Sequence, residues 1–457
     1  MTSQANIVIC GAGITGVRAA YFLAKAGVKD ILLLDERPPL TFTSDRSTEC
    51  YRNWWPDPAM LALMNRSIDL MEELSDESGN VFQLNRRGYL YVTADQSQIP
   101  EMKERSERIS SLGAGPLRTH TPETSSYQSA SLEGFHEQPE GADLLLGSEL
   151  IQKHFPYLTE SAVAALHVRR AGWLSAQQLG MYLLERARSL SGTGNSRVRF
   201  ESALVTGVEV ENNRVKGVRL GTGERINSPI FINAAGPYLK EVGGMLGVDI
   251  RVHTELHLKA AIRDSLGVVR RDAPLLIWND PQSLPWTAEE RAFLSEDPET
   301  AWLTEPFPSG VHTRPEGTGD SQTILMLWEY QEKVTEPIWP PQMDESYPEI
   351  ALRGLAAMLP GMKGYFDRMP RPQLDGGYYT KTRENRPLVG PLPVEGTYVT
   401  GAVSGYGIMS ACGVGELLAR HITGAELPEY APEFTPSRYE DPEYLNRLET
   451  WTDSGQL

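Results

Sequence analysis

Residues 6–35 read NIVICGAGITGVRAAYFLAKAGVKDILLLD. A short apolar run gives way to a glycine-rich break, then to apolar residues at helical spacing, then to a second apolar run ending on Asp35. That pattern predicts strand, tight turn, amphipathic helix and strand. Residues 36–58 are rich in Pro, Ser and Thr and predict a loop returning towards the first turn. Leu61, Leu63, Met64, Ile68, Leu70, Met71 and Leu74 mark one face of a helix over 59–75. Residues 81–92 predict a hairpin or strand pair around Gly88, and a short charged helix should follow.

Residues 118–143 are polar and aperiodic, as in a surface excursion that caps a site or meets another subunit. Residues 150–158 contain a His-Phe-Pro turn, and helical spacing resumes over 176–190. Three strands over 198–218 are separated by turns at 211–213 and 221–223, and the apolar run over 230–236 ends on small residues. Residues 244–371 alternate strands and loops, as in a mainly antiparallel unit, with an acidic, proline-rich insertion over 280–319. Short strands at 397–401 precede a glycine turn over 404–407 and a helix of small residues ending near His421. The remainder reads as an irregular tail.

At 457 residues the chain exceeds what one core usually supports, so two domains are expected. A net charge of −17 argues against nucleic acid and against anionic membrane surfaces as partners. The three cysteines, Cys10, Cys50 and Cys412, form no CxxC pair, as in a reducing compartment. No apolar run is long enough for a membrane span, and no basic segment opens the chain as a signal peptide would. A cytoplasmic protein is the simplest expectation. The histidines show no metal-ligand spacing, so no metal is expected.

The front stretch carries the first chemistry. In the turn Gly11, Ala12, Gly13, Ile14, Thr15, Gly16, the first glycine permits the tight turn. The second lets a pyrophosphate approach the backbone, and the third lets helix and strand pack closely. The helix N-terminus offers unpaired N–H groups to phosphate, and Asp35, followed by Glu36, can accept from a ribose. A dinucleotide site follows.

Three later segments are more specific: INAAGPYLKEV from Ile232, GGYYTKTRENRPLVGP from Gly376 and TGAVSGYGIMSACGVGELLA from Thr400. With them the chain resembles the D-amino-acid oxidase-like flavoproteins, in the branch of sarcosine oxidase, dimethylglycine dehydrogenase and glycine oxidase. The resemblance implies FAD, held without a covalent link, and an α/β fold. In that fold a split Rossmann-like FAD-binding domain is interleaved with an antiparallel-sheet α+β substrate domain. The FAD-binding parts are then 1–80, 150–243 and 372–425. Residues 81–149 form a substrate-domain hairpin and insertion, 244–371 the antiparallel domain, and 426–457 the tail.

By the same resemblance Ser44, Arg46, Ser47 and Thr48 lie between pyrophosphate and flavin. The Val205 backbone meets adenine, and Ala235 and Gly236 approach the cofactor. Gly405, Tyr406, Gly407, Ile408 and Met409 close over the ring. Arg52 matches an arginine that binds substrate carboxylate, and Tyr379 a tyrosine on the substrate side. Trp328, with Trp54, Trp55, Tyr378, Tyr379 and Tyr406, could cage an alkylated ammonium.

Three departures from relatives stand out. Gly377 replaces the cysteine that links flavin in monomeric sarcosine oxidase, Met326 its oxygen-promoting lysine, and Met409 its second carboxylate-binding lysine. Cys50 reads as a small buried residue. The implied activity is oxidation of the C–N bond of a small, N-alkylated amino acid or amine by hydride transfer to flavin N5. Electrons would pass on to oxygen or to a quinone or other carrier, and Met326 tilts the choice towards a dehydrogenase. Two other readings fit the same residues: a hydroxy-acid or polyol dehydrogenase using a base such as His257, and a non-catalytic FAD-binding assembly factor.

Overall fold

The computed structural model describes residues 3–190, 197–331 and 333–451. The first apolar run is the strand Ile7–Cys10, inside a six-stranded sheet. The sheet order is Val198–Ser202, Ile31–Asp35, Ile7–Cys10, Ile230–Asn233, Thr397–Gly401 and Leu388–Pro391. All pairs are parallel except the last. The central strands Ile7–Cys10, Ile31–Asp35 and Ile230–Asn233 are near-continuous apolar runs because both faces are covered, whereas the edge strand Val198–Ser202 is polar and only partly buried. Ile7, Ile9, Ile31, Leu33 and Ile232 share a core with the helices Ile14–Lys25, Ala176–Leu190 and Ala411–Thr423. Val8, Cys10, Leu32, Leu34 and Phe231 pack instead against a small sheet of Ser3–Gln4, Arg225–Asn227, Arg214–Leu220 and Val205–Glu211. Asn212 and Asn213 both have positive φ, +52° and +58°, as the tight hairpin between the last two strands requires.

A nine-stranded sheet forms the second unit. Its order is Gln373–Lys381, His253–Arg263, Thr323–Leu327, His312–Pro315, Leu275–Trp278, Tyr89–Thr93, Ala164–Val168, Ala142–Leu146 and Leu117–His120. It is antiparallel apart from two parallel pairs. A parallel sheet drawn from the front, middle and back of the chain, interleaved with an antiparallel-rich one, is the split α/β arrangement that the sequence implies. By sheet membership Ala164–Val168 and Gln373–Lys381 go with the second unit, although they lie inside 150–243 and 372–425.

The helix expected over 59–75 runs from Pro58 to Ser78. Asp57 caps it by accepting from Met60 N at 2.8 Å, and Gly79 ends it at φ +67°. Several local expectations need correction. Residues 81–88 form no strand, and Gly88 is no hairpin tip: a Cβ there would meet His167 Nε2 at 2.1 Å. The polar stretch 118–143 begins and ends in paired strands that extend the large sheet. The insertion over 280–319 holds the helix Ala288–Glu296 and the strand His312–Pro315. The tail is helical over Pro442–Glu449, with Phe434, Tyr444 and Leu448 buried; its end, 452–457, lies outside the described residues. Among the described residues no helix is long and apolar enough to cross a membrane.

Candidate functional site

A cavity of about 360 Å³ runs between the two large sheets. At one end stand Asp35, Glu36 and Val205; its middle is lined by Gly11, Gly13, Ile14 and Thr15. Local sequence shapes that middle. Gly11 has φ +109°, and a Cβ on it would lie 2.3 Å from Ala234 O. A Cβ on Gly16 would lie 1.9 Å from Gly11 O, so Gly16 serves packing and does not line the cavity. Ala12 is likewise buried behind the turn, its N–H donating to Asp35 Oδ2 at 2.9 Å. Arg37 N donates to the other oxygen at 3.0 Å, so Asp35 holds the turn as well as facing the cavity. Gly13 is the N-cap of Ile14–Lys25, and Ser44 Oγ accepts from Ile14 N at 2.9 Å.

Beyond the turn the cavity passes Ala235, Gly236, Arg46, Ser47 and Thr48. It ends among Lys259, Gly377, Tyr378, Tyr379, Gly405, Gly407 and Ile408. Polar ties hold the Ser44–Thr48 segment to the nine-stranded sheet. Arg46 Nη1 donates to Asp375 at 2.9 Å, and Lys259 Nζ to Ser47 O at 2.8 Å. The buried Arg314 donates to Thr48 O at 2.8 and 3.2 Å. Burial lowers the Lys259 ammonium below its ordinary value. The turn at the far end is equally built. Tyr406 donates to Asn385 O at 2.8 Å, and Arg18 to Gly407 O at 3.1 Å. Gly405 packs so closely on Tyr379 that a Cβ would lie 2.6 Å from its ring.

Thr48, Tyr379 and Gly405 also line a second, smaller cavity of about 50 Å³. Its other walls are Cys50, Arg52, Trp55, Tyr89, Leu275, His312, Glu329, Tyr406 and Met409. Arg52 comes from the short strand Cys50–Arg52, donates to Trp54 O and lies 4.5 Å over the Trp55 ring. Cys50 donates to Thr48 O at 3.1 Å, and burial raises its thiol, which suits a packed and inert residue.

Trp328 and Met326 lie elsewhere. Met326 opposes Ala260, and Leu327 opposes Lys259. Because side chains alternate across a strand, Leu327 and Lys259 face the long cavity, while Met326 and Ala260 face the core behind the sheet. Trp328 joins that core, its Nε1 donating to Pro308 O at 3.2 Å and its ring against Gly354. Trp54 is buried away from both cavities. The proposed ring cage therefore reduces to Trp55, Tyr379 and Tyr406, with Tyr89 added.

Residues 253–259 read HTELHLK, with polar residues at every second position. This period-two signal marks one strand face, and it was the available clue to Glu255, His257 and Lys259. His257 stacks on Tyr379, ring centroids 3.7 Å apart. Burial pulls its imidazole down, but Glu329 and Glu255 outweigh burial and hold it above its ordinary value. Burial pushes the Glu329 carboxyl up, but His257 and Lys381 outweigh it and hold it below its ordinary value. Glu255 is held at about 2, hydrogen bonds from His257 and Lys381 overcoming burial. Burial keeps the Tyr379 hydroxyl neutral. Among the described residues no group of three or more His, Cys, Asp or Glu is placed to hold a metal ion.

Known proteins match this arrangement. A family model described as FAD dependent oxidoreductase (DAO) matches residues 6–421. Human mitochondrial dimethylglycine dehydrogenase is 24% identical over 449 residues, covering 95% of this chain and 44% of that protein. The chain thus spans less than half the length of that relative. Two solved structures share the fold, each with a TM-score of 0.72 and covering 96% of this chain and 99% of the other. They are L-proline dehydrogenase from P. horikoshii, 20% identical, and glycine oxidase from Geobacillus kaustophilus, 14% identical.

Proposed function

This chain belongs to the FAD-dependent oxidoreductase family with FAD as its cofactor, and we propose that it oxidises the C–N bond of a small, N-alkylated amino acid. The long cavity suits an extended dinucleotide. Asp35, Glu36 and Val205 would hold the adenosine end, and Gly11–Thr15 with Ser44 the pyrophosphate. Arg46–Thr48, Gly377–Tyr379 and Gly405–Ile408 would hold the ring end.

The small cavity carries the reading: a guanidinium and a carboxylate, Arg52 and Glu329, stand within aromatic walls. The planar fork of Arg52 suits a substrate carboxylate. Trp55, Tyr89, Tyr379 and Tyr406 exclude water and favour an alkylated ammonium over a plain one. Bound FAD supplies the acceptor for a hydride from the carbon next to nitrogen. A hydroxy acid would need a base in the resting site. His257, the candidate, has a carboxylate at each ring nitrogen, Glu329 at 3.4 Å and Glu255 at 3.1 Å, and these shift it towards its protonated form against burial, which favours the amine.

The electron acceptor is oxygen or a quinone-type carrier. The methionine that tilted the choice to a dehydrogenase lies behind the sheet, whereas Lys259 faces the cavity. The test is anaerobic mixing of the purified protein with N-methylated amino acids, primary amino acids and hydroxy acids. Bleaching of the flavin band by N-methylated amino acids is the expected result. Bleaching only by hydroxy acids, or by none, refutes the reading. Re-oxidation by air or only by a dye then separates oxidase from dehydrogenase.

A further inference from the structure

Glu329 is the inner end of a charged chain that reaches solvent. Its Oε1 lies 3.4 Å from His257 Nδ1, and His257 Nε2 lies 3.1 Å from Glu255 Oε2. Glu255 Oε1 lies 3.2 Å from His253 Nε2, and Lys381 Nζ lies 2.6 Å from Glu255 Oε2. The side chain of Glu329, at the small cavity, is 21% exposed, that of His257 7% and that of His253 35%, so the buried His257 links the cavity to water. Two carboxylates, Glu329 and Glu255, thus face two basic groups, His257 and Lys381, an arrangement that is balanced when His257 carries its proton. Other titratable or charged groups around Glu329 are Tyr379 beside it, His312 from the neighbouring strand, Arg52, Cys50 and Tyr89 across the cavity, and Tyr347 from the helix Tyr347–Met358. Burial keeps His312 neutral and Tyr379 and Tyr347 protonated.

We propose that Glu329 binds the substrate's ammonium group and takes its proton, and that His257 makes room for that charge by releasing its own proton through Glu255 and His253. The inference rests on the amine reading above. An arriving ammonium puts a second positive charge beside Glu329, and the balanced cluster cannot hold both cheaply at low dielectric. The Nε2–H bond of His257 breaks and its proton passes by way of Glu255 to His253 and water. Glu329, no longer facing an imidazolium, becomes the stronger acceptor. One N–H bond of the ammonium breaks, an O–H bond forms on Glu329, and the electron pair stays on nitrogen. Nothing is oxidised in this sequence; the amine only becomes able to give up hydride. A hydroxy acid brings no positive charge and leaves His257 protonated, so the same chain selects against it. Glu329 is the catalytic residue, and His257 acts through it.

The test reads binding and protons separately. The wild-type holoenzyme is mixed anaerobically in weak buffer with a pH indicator and either N,N-dimethylglycine or acetate. In stopped flow the amine should release about one proton per flavin before the flavin band bleaches, and acetate none. Glu329→Gln should weaken dimethylglycine more than about tenfold, by flavin absorbance, and leave acetate within about twofold. His257→Asn should abolish proton release while still binding the amine. Glu329→Asp should recover release with intermediate affinity. No proton release by an amine that bleaches the wild-type flavin overturns this inference alone, as does equal weakening of both ligands in Glu329→Gln. No bleaching by any amine overturns the proposed function and this inference with it.

Discussion

At the scale of single residues, the end of the long cavity proposed for the flavin ring holds a cation that only strand register brings into place. Lys259 is partly buried, with its side chain 15% exposed; it donates to Ser47 O at 2.8 Å and lies 4.0 Å from Asp375. Its charge would stabilise negative charge on a reduced ring laid beside Gly377 and Tyr379. Lys259→Met should therefore lower the flavin midpoint potential by roughly 30 mV or more, where 30 mV corresponds to about 1.4 kcal/mol for a two-electron couple. A dye-coupled potentiometric titration measures it, and an unchanged potential removes Lys259 from the electrostatics of the site. Which way Lys259 faces is not legible in the sequence, because motifs run along the chain whereas facing is decided across it. Met326 and Lys259 lie on neighbouring strands, and the antiparallel pairing that sends Met326 to the core is invisible until the partner strand is known. Arg314, which holds Thr48 from a strand far along the chain, had no local signal at all. The glycines of the first turn are legible because their pattern is complete in itself, whereas Arg52 and Tyr379 are reached only through the family resemblance, and both line the small cavity.

At the scale of elements, the large sheet contains a buried histidine that should set its response to acid. His167 lies in Ala164–Val168 and is 1% exposed. Its Nε2 donates to Arg87 O at 2.9 Å, and its Nδ1 accepts from Tyr127 at 2.8 Å and Arg169 at 2.9 Å. Burial, with Arg169 beside it, lowers the imidazole from 6.5 to about 3. Between those values the unfolded chain binds a proton that the folded chain does not, so stability falls as pH drops through the window. The expected slope is about 1.4 kcal/mol per pH unit from this group. Urea unfolding from pH 6.5 to 4 should show it, and His167→Asn should flatten the slope by about one proton; an unchanged slope would refute the assignment. Elements with both faces buried, such as Ile7–Cys10 and Ile31–Asp35, were readable as apolar runs. Leu117–His120 was not, because an edge strand with half-buried positions carries no alternation. Gly88 signalled a turn because the sequence shows a missing side chain and not the His167 ring that needs the space.

At the scale of the whole molecule, the segment beyond the family match at 421 packs on residues 384–386, behind the turn proposed to close the ring end of the site. Arg438 and Glu384 form an ion pair at 2.6 Å with both side chains at 1% exposure or less. Tyr439 and Tyr444 also donate to the same Glu384 oxygen, each at 2.9 Å. Next to Glu384, Arg386 pairs with Asp57, the cap of Pro58–Ser78, and with Glu433 of the tail. Asn385 O, between them, receives the Tyr406 hydroxyl from the turn that lines both cavities. The tail thus clamps the segment that supports Gly405 and Tyr406. Removing one partner of a buried pair leaves an uncompensated charge and costs about 3–5 kcal/mol, whereas removing both costs much less. Arg438→Met should destabilise the holoenzyme by that order in urea unfolding and hasten FAD release, read as flavin fluorescence appearing in solution. The double variant Arg438→Met with Glu384→Gln should recover at least half of both losses. If it recovers neither, the tail contributes by packing alone, through Phe434 and Leu448, and the charge pair has no part in holding the cofactor end.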